Sequence, residues 1–232
     1  FAGRLAGIGT GHYVGDINDP SVGSTTITIR NSADGTVIPI ITAKGGSDEN
    51  GSCWASGAGI GSGGNTLNKT TINIEGGEIT ATGGVSLDSR NHSDKWLSGA
   101  GIGSGSSVSG ETEINISSGT ITEATGGTGG AGIGGGANSS KATTINITGG
   151  TIKNATGTDG GAGIGSGYIG GSSTVNISGD AELKDVKGGN LAAGKPIVAM
   201  PTLRSSCAAH TERNSTPFAP CRVLPLTSCW KR

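Results

Sequence analysis

Apolar and polar positions along this chain fall into short alternating segments that recur. In Thr71-Ile72-Asn73-Ile74 two isoleucines share one face of an extended chain, and Thr and Asn share the other. That is the period-two signature of a half-buried strand. The phrase reads TTITI at Thr25–Ile29, TTINI at Thr70–Ile74, TEINI at Thr112–Ile116, TTINI at Thr143–Ile147 and STVNI at Ser173–Ile177. A Gly-Ile-Gly phrase precedes each copy: LAGIGTG at Leu5–Gly11, GAGIGSG at Gly57–Gly63 and Gly99–Gly105, GAGIGGG at Gly130–Gly136, and GAGIGSG at Gly161–Gly167. A third phrase follows, GEIT at Gly77–Thr80, GTIT at Gly119–Thr122, GTIK at Gly150–Lys153 and AELK at Ala181–Lys184. No segment has helical spacing, and glycine at this density opposes a helix by about 1 kcal/mol per residue.

The central isoleucines, Ile8, Ile60, Ile102, Ile133 and Ile164, are separated by 52, 42, 31 and 31 residues. Self-similarity at such a period marks a solenoid. Three strands per repeat, each stacked about 4.8 Å from its counterpart, predict an all-β, right-handed parallel β-helix with three faces and about five rungs over residues 1–189. Ala58/Ile60, Ile72/Ile74 and Ile79, with their equivalents in later rungs, are the expected interior ladders. Strict alternation then turns Gly59, Gly101, Gly132 and Gly163 outward. A flat glycine face of that kind suits close packing by a second chain, a neighbouring domain or the tail, unless these glycines only serve tight corners with positive φ.

The extra residues of the long repeats read as insertions at one corner, before the next Gly-Ile-Gly phrase. They lengthen TGGTGG to KGGSDENGSCWAS (Lys44–Ser56) and to TGGVSLDSRNHSDKWLS (Thr82–Ser98). A further loop, Gly11–Gly23, leaves from a different corner. Insertions at one solenoid corner emerge as neighbours and often make the binding face. Trp54 and Trp96 fall one rung apart at equivalent positions. Around them lie Asp48, Glu49, Asp88, Arg90, Asn91 and Asp94. Two roles fit these indoles: a platform on which the C–H faces of a sugar stack, with the polar neighbours taking its hydroxyls, or a plug over the corner. The carboxylates are also the oxygen donors Ca²⁺ uses, but no ordered Asp-x-Asp run is present and no metal is assigned.

Composition narrows the functions. Glycine supplies 47 of 232 residues without a Gly-X-Y period, and aromatics at 3% suit a thin stacked core better than an ordinary globular one. No apolar run approaches the roughly 20 residues of a membrane helix. Residues 1–189 carry net charge −6, which gives nucleic acid no basic footprint, while residues 190–232 carry +5. This last stretch holds five of the seven prolines and Cys207, Cys221 and Cys229, with no strand phrase, and reads as a tail that is disordered or foreign to the fold. Cys53 stands alone. His12, His92 and His210 have no repeat equivalents and no nucleophile motif beside them, so no catalytic residue is assigned.

The run GAGIGSG…TTINIEGGEITATGG resembles the Gly-rich β-helical repeats of large bacterial cell-surface, adhesin-like proteins, some of them carbohydrate-binding. The resemblance covers about residues 4–189. It implies an exported, surface-displayed module, and the start at Phe1 reads as a cut into a longer protein. The expected partner is a polysaccharide or a host or cell-wall glycan held at the Trp54/Trp96 edge, with no cofactor. A ligand-free structural stalk is the alternative. A polysaccharide lyase or hydrolase ranks below both, because the outward ladders lack clustered acids.

Overall fold

The computed structural model describes residues 5–11, 23–47, 55–86 and 97–189, together with the backbone of Arg204–Ser205. The first rung holds β1 (Ile8–Gly9), β2 (Thr25–Arg30) and β3 (Ile40–Lys44); the second holds β4 (Ile60–Gly61) and β5 (Thr70–Thr82). β6 (Ile102–Gly103) and β7 (Thr112–Thr125) form the third rung, and β8 (Ile133–Gly134), β9 (Thr143–Ile147) and β10 (Thr151–Thr156) the fourth. The fifth contains β11 (Ile164–Gly165), β12 (Ser173–Ile177) and β13 (Glu182–Lys187). The short β14 (Arg204–Ser205) pairs with β12 at Asn176 and Ile177.

Among the described residues the strands pair in parallel and phrase lies on phrase. Ile8, Ile60, Ile102, Ile133 and Ile164 form one ladder. Ile27, Ile72, Ile114, Ile145 and Val175 form the second. Ile41, Ile79, Ile121, Ile152 and Leu183 form the third. The chain is a parallel β-helix. In the middle rungs these isoleucines are fully buried, whereas Ile8, Ile27 and Ile41 of the first rung and Leu183 of the last are only half-buried. Each buried isoleucine contributes about 1.5–3 kcal/mol, so the fold draws its stability from the middle of the stack.

The second and third strands are less separate than their phrases suggest. In β5 and β7 they run as one strand bent at Gly77 (φ 88°) and Gly119 (φ 90°), where the left-handed backbone lets the chain turn without breaking its pairing. Among the described residues two hydrogen-bonded sheets result, one of five strands and one of nine. Register is also shifted once inside the third segment. Ile79 pairs with Ile121, but Ala81 pairs with Ala124, so Thr122-Glu123 of β7 carries one residue more than β5.

The glycine face predicted from strict alternation is corrected. Gly59, Gly101, Gly132 and Gly163 are buried and point into the coil. A Cβ on Gly101 would lie 2.7 Å from Gly132 O and 2.7 Å from Thr125 N; one on Gly59 would lie 2.8 Å from Thr82 N. The Gly-Ile-Gly segment is a narrow arch, not a flat strand: Ala58 N–H bonds Ser62 O at 3.0 Å, Ala100 N–H bonds Ser104 O at 2.9 Å, and Ala131 N–H bonds Gly135 O at 3.0 Å. The arch presses against the end of the third strand, where Ala81, Ala124 and Ala155 are buried. Glycine is required because main chain meets main chain inside the coil.

Insertions are not confined to one corner either. Ile29 and Ile41 are 12 residues apart, against five between Ile74 and Ile79, so Asn31–Ile38 is a second-corner loop. Ser32 N–H donates to Val37 O at 3.0 Å and Val37 N–H to the Ser32 hydroxyl at 2.9 Å, closing the loop on itself. Asn31 Oδ1 accepts Gly77 N–H at 2.9 Å and Pro39 O accepts Glu78 N–H at 2.8 Å, which seats the loop on the next rung.

Candidate functional site

The corner that carries the Trp-bearing insertions is built from repeated turns. In rungs three and four the connection is tight: Gly130 N–H bonds Gly127 O at 2.6 Å, and Gly161 N–H bonds Thr158 O at 2.8 Å. After rung two the same bond, Gly99 N–H to Gly84 O at 3.2 Å, spans the whole insertion and clamps its base. Ser86 N–H to the Ser98 hydroxyl at 3.2 Å adds a second clamp.

The roots of the two insertions touch. Val85 N–H, at the start of the second, donates to the hydroxyl of Ser47, at the start of the first, at 3.0 Å. At the other root Ser56 and Ser106 exchange two bonds, Ser56 N–H to Ser106 Oγ at 2.8 Å and Ser106 N–H to Ser56 O at 2.9 Å. Ala137 N–H reaches Ser98 O at 2.9 Å, and Tyr168 N–H reaches Gly129 O at 2.7 Å. Rungs three, four and five are thereby each tied to the corner connection that precedes the rung beneath. These serines escaped the reading of the sequence because nothing in Ser-Gly repeats separates an anchoring hydroxyl from a spacer.

Beside this corner runs a column of left-handed turns: Asn65 (φ 56°), Ser107 (φ 55°), Asn138 (φ 55°) and Ile169 (φ 50°), each eight residues past the start of its Gly-Ile-Gly phrase. Asn and Ser tolerate that backbone through short polar side chains. Their recurrence at this spacing was the available signal.

The candidate ligand residues Asp48, Glu49, Trp54, Asp88, Arg90, Asn91, Asp94 and Trp96 lie outside the described residues, as does Cys53. Their roots, Ser47, Ala55-Ser56, Val85-Ser86 and Leu97-Ser98, are described and lie together. Among the described residues no three His, Cys, Asp or Glu side chains come together as a metal site, and no helix is long and apolar enough to cross a membrane.

Two carboxyls elsewhere are held below the ordinary carboxylate range. Asp34 is lowered from 3.8 to about 2, first by the Ser32 hydroxyl and then by the Thr36 N–H and hydroxyl. Glu113 is lowered by hydrogen bonding to Lys69, with Nζ 3.1 Å from Oε2, and then to Asn115. Both are solvent-facing and serve local turns and cross-rung contacts.

Residues 72–106, 114–137 and 145–168 match the family model described as Beta helix repeat, about a third of the chain. These stretches cover arches and strands of rungs two to five, so a β-helical repeat region is established by both geometry and sequence. No curated protein and no solved structure gives a significant match.

Proposed function

We propose that the chain is a surface-displayed or secreted β-helical module that binds a polysaccharide or cell-surface glycan through the two insertions bearing Trp54 and Trp96. The observation that carries this reading is the Val85 N–H to Ser47 hydroxyl bond of 3.0 Å, which joins the roots of the two insertions at one corner. Neighbouring roots support two indoles serving one ligand, one sugar face per ring, with Asp48, Glu49, Asp88, Arg90, Asn91 and Asp94 supplying hydrogen-bonding groups for its hydroxyls. The rungs act as a rigid mount. A glycan array with the wild type and the W54A/W96A double variant tests it: selective binding by the wild type, lost in the variant, is expected. Equal binding by both removes the indoles from the site.

A second reading, a spacer without ligand, is favoured by one feature. Asn73, Asn115, Asn146 and Asn176 stack their amides down one face, Nδ2 to Oδ1, at 3.0, 2.8 and 2.8 Å. Such ladders stiffen a stack without serving a ligand. Absence of any glycan bound by the wild type decides for the spacer.

A further inference from the structure

Ile169 is the only β-branched residue with positive φ among the described residues, at 50°. Its side chain is 71% exposed. At the same turn the preceding rungs place Asn65, Ser107 and Asn138, residues suited to that backbone. Ile169 therefore strains the turn without gaining burial. Strain kept without a folding benefit points to a contact made by the side chain.

What lies around it indicates the partner. Tyr168, half-buried, precedes it, with its carbonyl accepting Asn138 N–H at 2.8 Å. Asn138 is exposed, and its amide reaches the Ser107 hydroxyl at 3.4 Å. Thr128 sits in the tight connection whose Gly129 O holds Tyr168 N–H. The edge between the root of the second insertion and Ile169 thus carries hydroxyls and an amide, with the carboxyl of Asp159 in the next connection, where Gly129 N–H meets Thr158 O at 3.1 Å, and spans two rungs, about 10 Å at about 4.8 Å per rung.

We infer that Tyr168 and Ile169 form a second subsite for a hydroxyl-rich oligosaccharide lying along the edge from Ser98, at the root of the second insertion, to rung five. The C–H face of a pyranose rests on Ile169 and Tyr168, and its hydroxyls meet Asn138 and Ser107. This inference rests on the glycan reading above, and its test separates the two.

The variant I169N installs the residue that rungs two and four already carry, so it relieves the strain and does not threaten folding. Thermal unfolding is followed beside titration calorimetry with cellohexaose, xylohexaose, mannohexaose and chitohexaose. Expected are a melting point raised by about 2–4 °C and affinity for the bound hexasaccharide weakened about fivefold or more, with W54A/W96A weakening it independently. A stabilised I169N that binds as the wild type does, while W54A/W96A loses binding, overturns the subsite and leaves the glycan reading standing. A destabilised I169N shows that Ile169 serves folding and overturns the inference by itself. No binding of any of the four by the wild type overturns both.

Discussion

Asn146 donates its side-chain amide to the carbonyl oxygen of Asn115 at 2.8 Å, and Asn115 passes the same bond to Asn73 at 3.0 Å. An interior member of this ladder is both donor and acceptor, whereas Asn176, among the described residues, only donates to its neighbour, at 2.8 Å. Removing Asn115 leaves two partners unsatisfied in a half-buried row, and removing Asn176 leaves one. N115A is expected to cost about 1–3 kcal/mol and N176A about 1 or less. Urea unfolding of the two variants checks the order; equal losses would mean that the amides act separately.

Gly101 has no space for a methyl group. With Gly132 O and Thr125 N each 2.7 Å from the position of its Cβ, relief requires main chain to move in two rungs. G101A is expected to lose about 3 kcal/mol or more, or to fail to fold. G23A is the control, since nothing lies within 4 Å of that Cβ. A G101A protein as stable as G23A would place the glycine ladder back on the surface.

That ladder shows where the sequence was legible and where it was not. Ile72, Ile114 and Ile145 were readable as one interior ladder because alternation and repeat spacing agree on them. Gly59 and Gly101 were not, because alternation assumes a flat strand and the five-residue arch from Ala58 to Ser62 is not flat. Nor was the Asn31–Ile38 loop, since the first repeat carries several insertions whose lengths merge into one interval of 52 residues. At the candidate site the sequence marked where the insertions occur. It was silent on Ser47, whose hydroxyl matters only through a backbone amide 38 residues away.

The Asn31–Ile38 loop should hold its hydrogen bonds until the pH falls toward 2. Asp34 has its carboxyl lowered from 3.8 to about 2, so the contribution of its hydrogen bonds is complete above pH 3.8 and is lost as pH falls toward 2. The Thr36 amide, which donates to Asp34 Oδ1 at 3.1 Å, reports this directly. Its NMR shift should titrate with a midpoint near 2, and D34N should flatten the curve. A midpoint at 3.8 would show that the Ser32 and Thr36 bonds do not persist in solution.

The clamp between Gly99 N–H and Gly84 O also predicts how the second insertion can be removed. Rung three closes the same bond with only Thr128 and Gly129 between Gly127 and Gly130. Replacing residues 85–98 by Thr-Gly copies that solution at a site whose flanks already have its geometry. The Ser47–Val85 and Ser86–Ser98 bonds are lost, and Ala137 N–H keeps a carbonyl partner from the new glycine, as Tyr168 N–H has from Gly129. Shortening the loop returns roughly 1–2 kcal/mol of closure entropy, which offsets the two lost bonds. The excised protein should therefore unfold at a urea concentration close to that of the wild type, with its β-sheet circular dichroism intact. Glycan binding should fall at least as far as in W96A, because Trp96 leaves with the loop while Trp54 stays. A protein that no longer folds would show that the insertion is part of the coil and would remove the separation of mount from site on which the binding model depends.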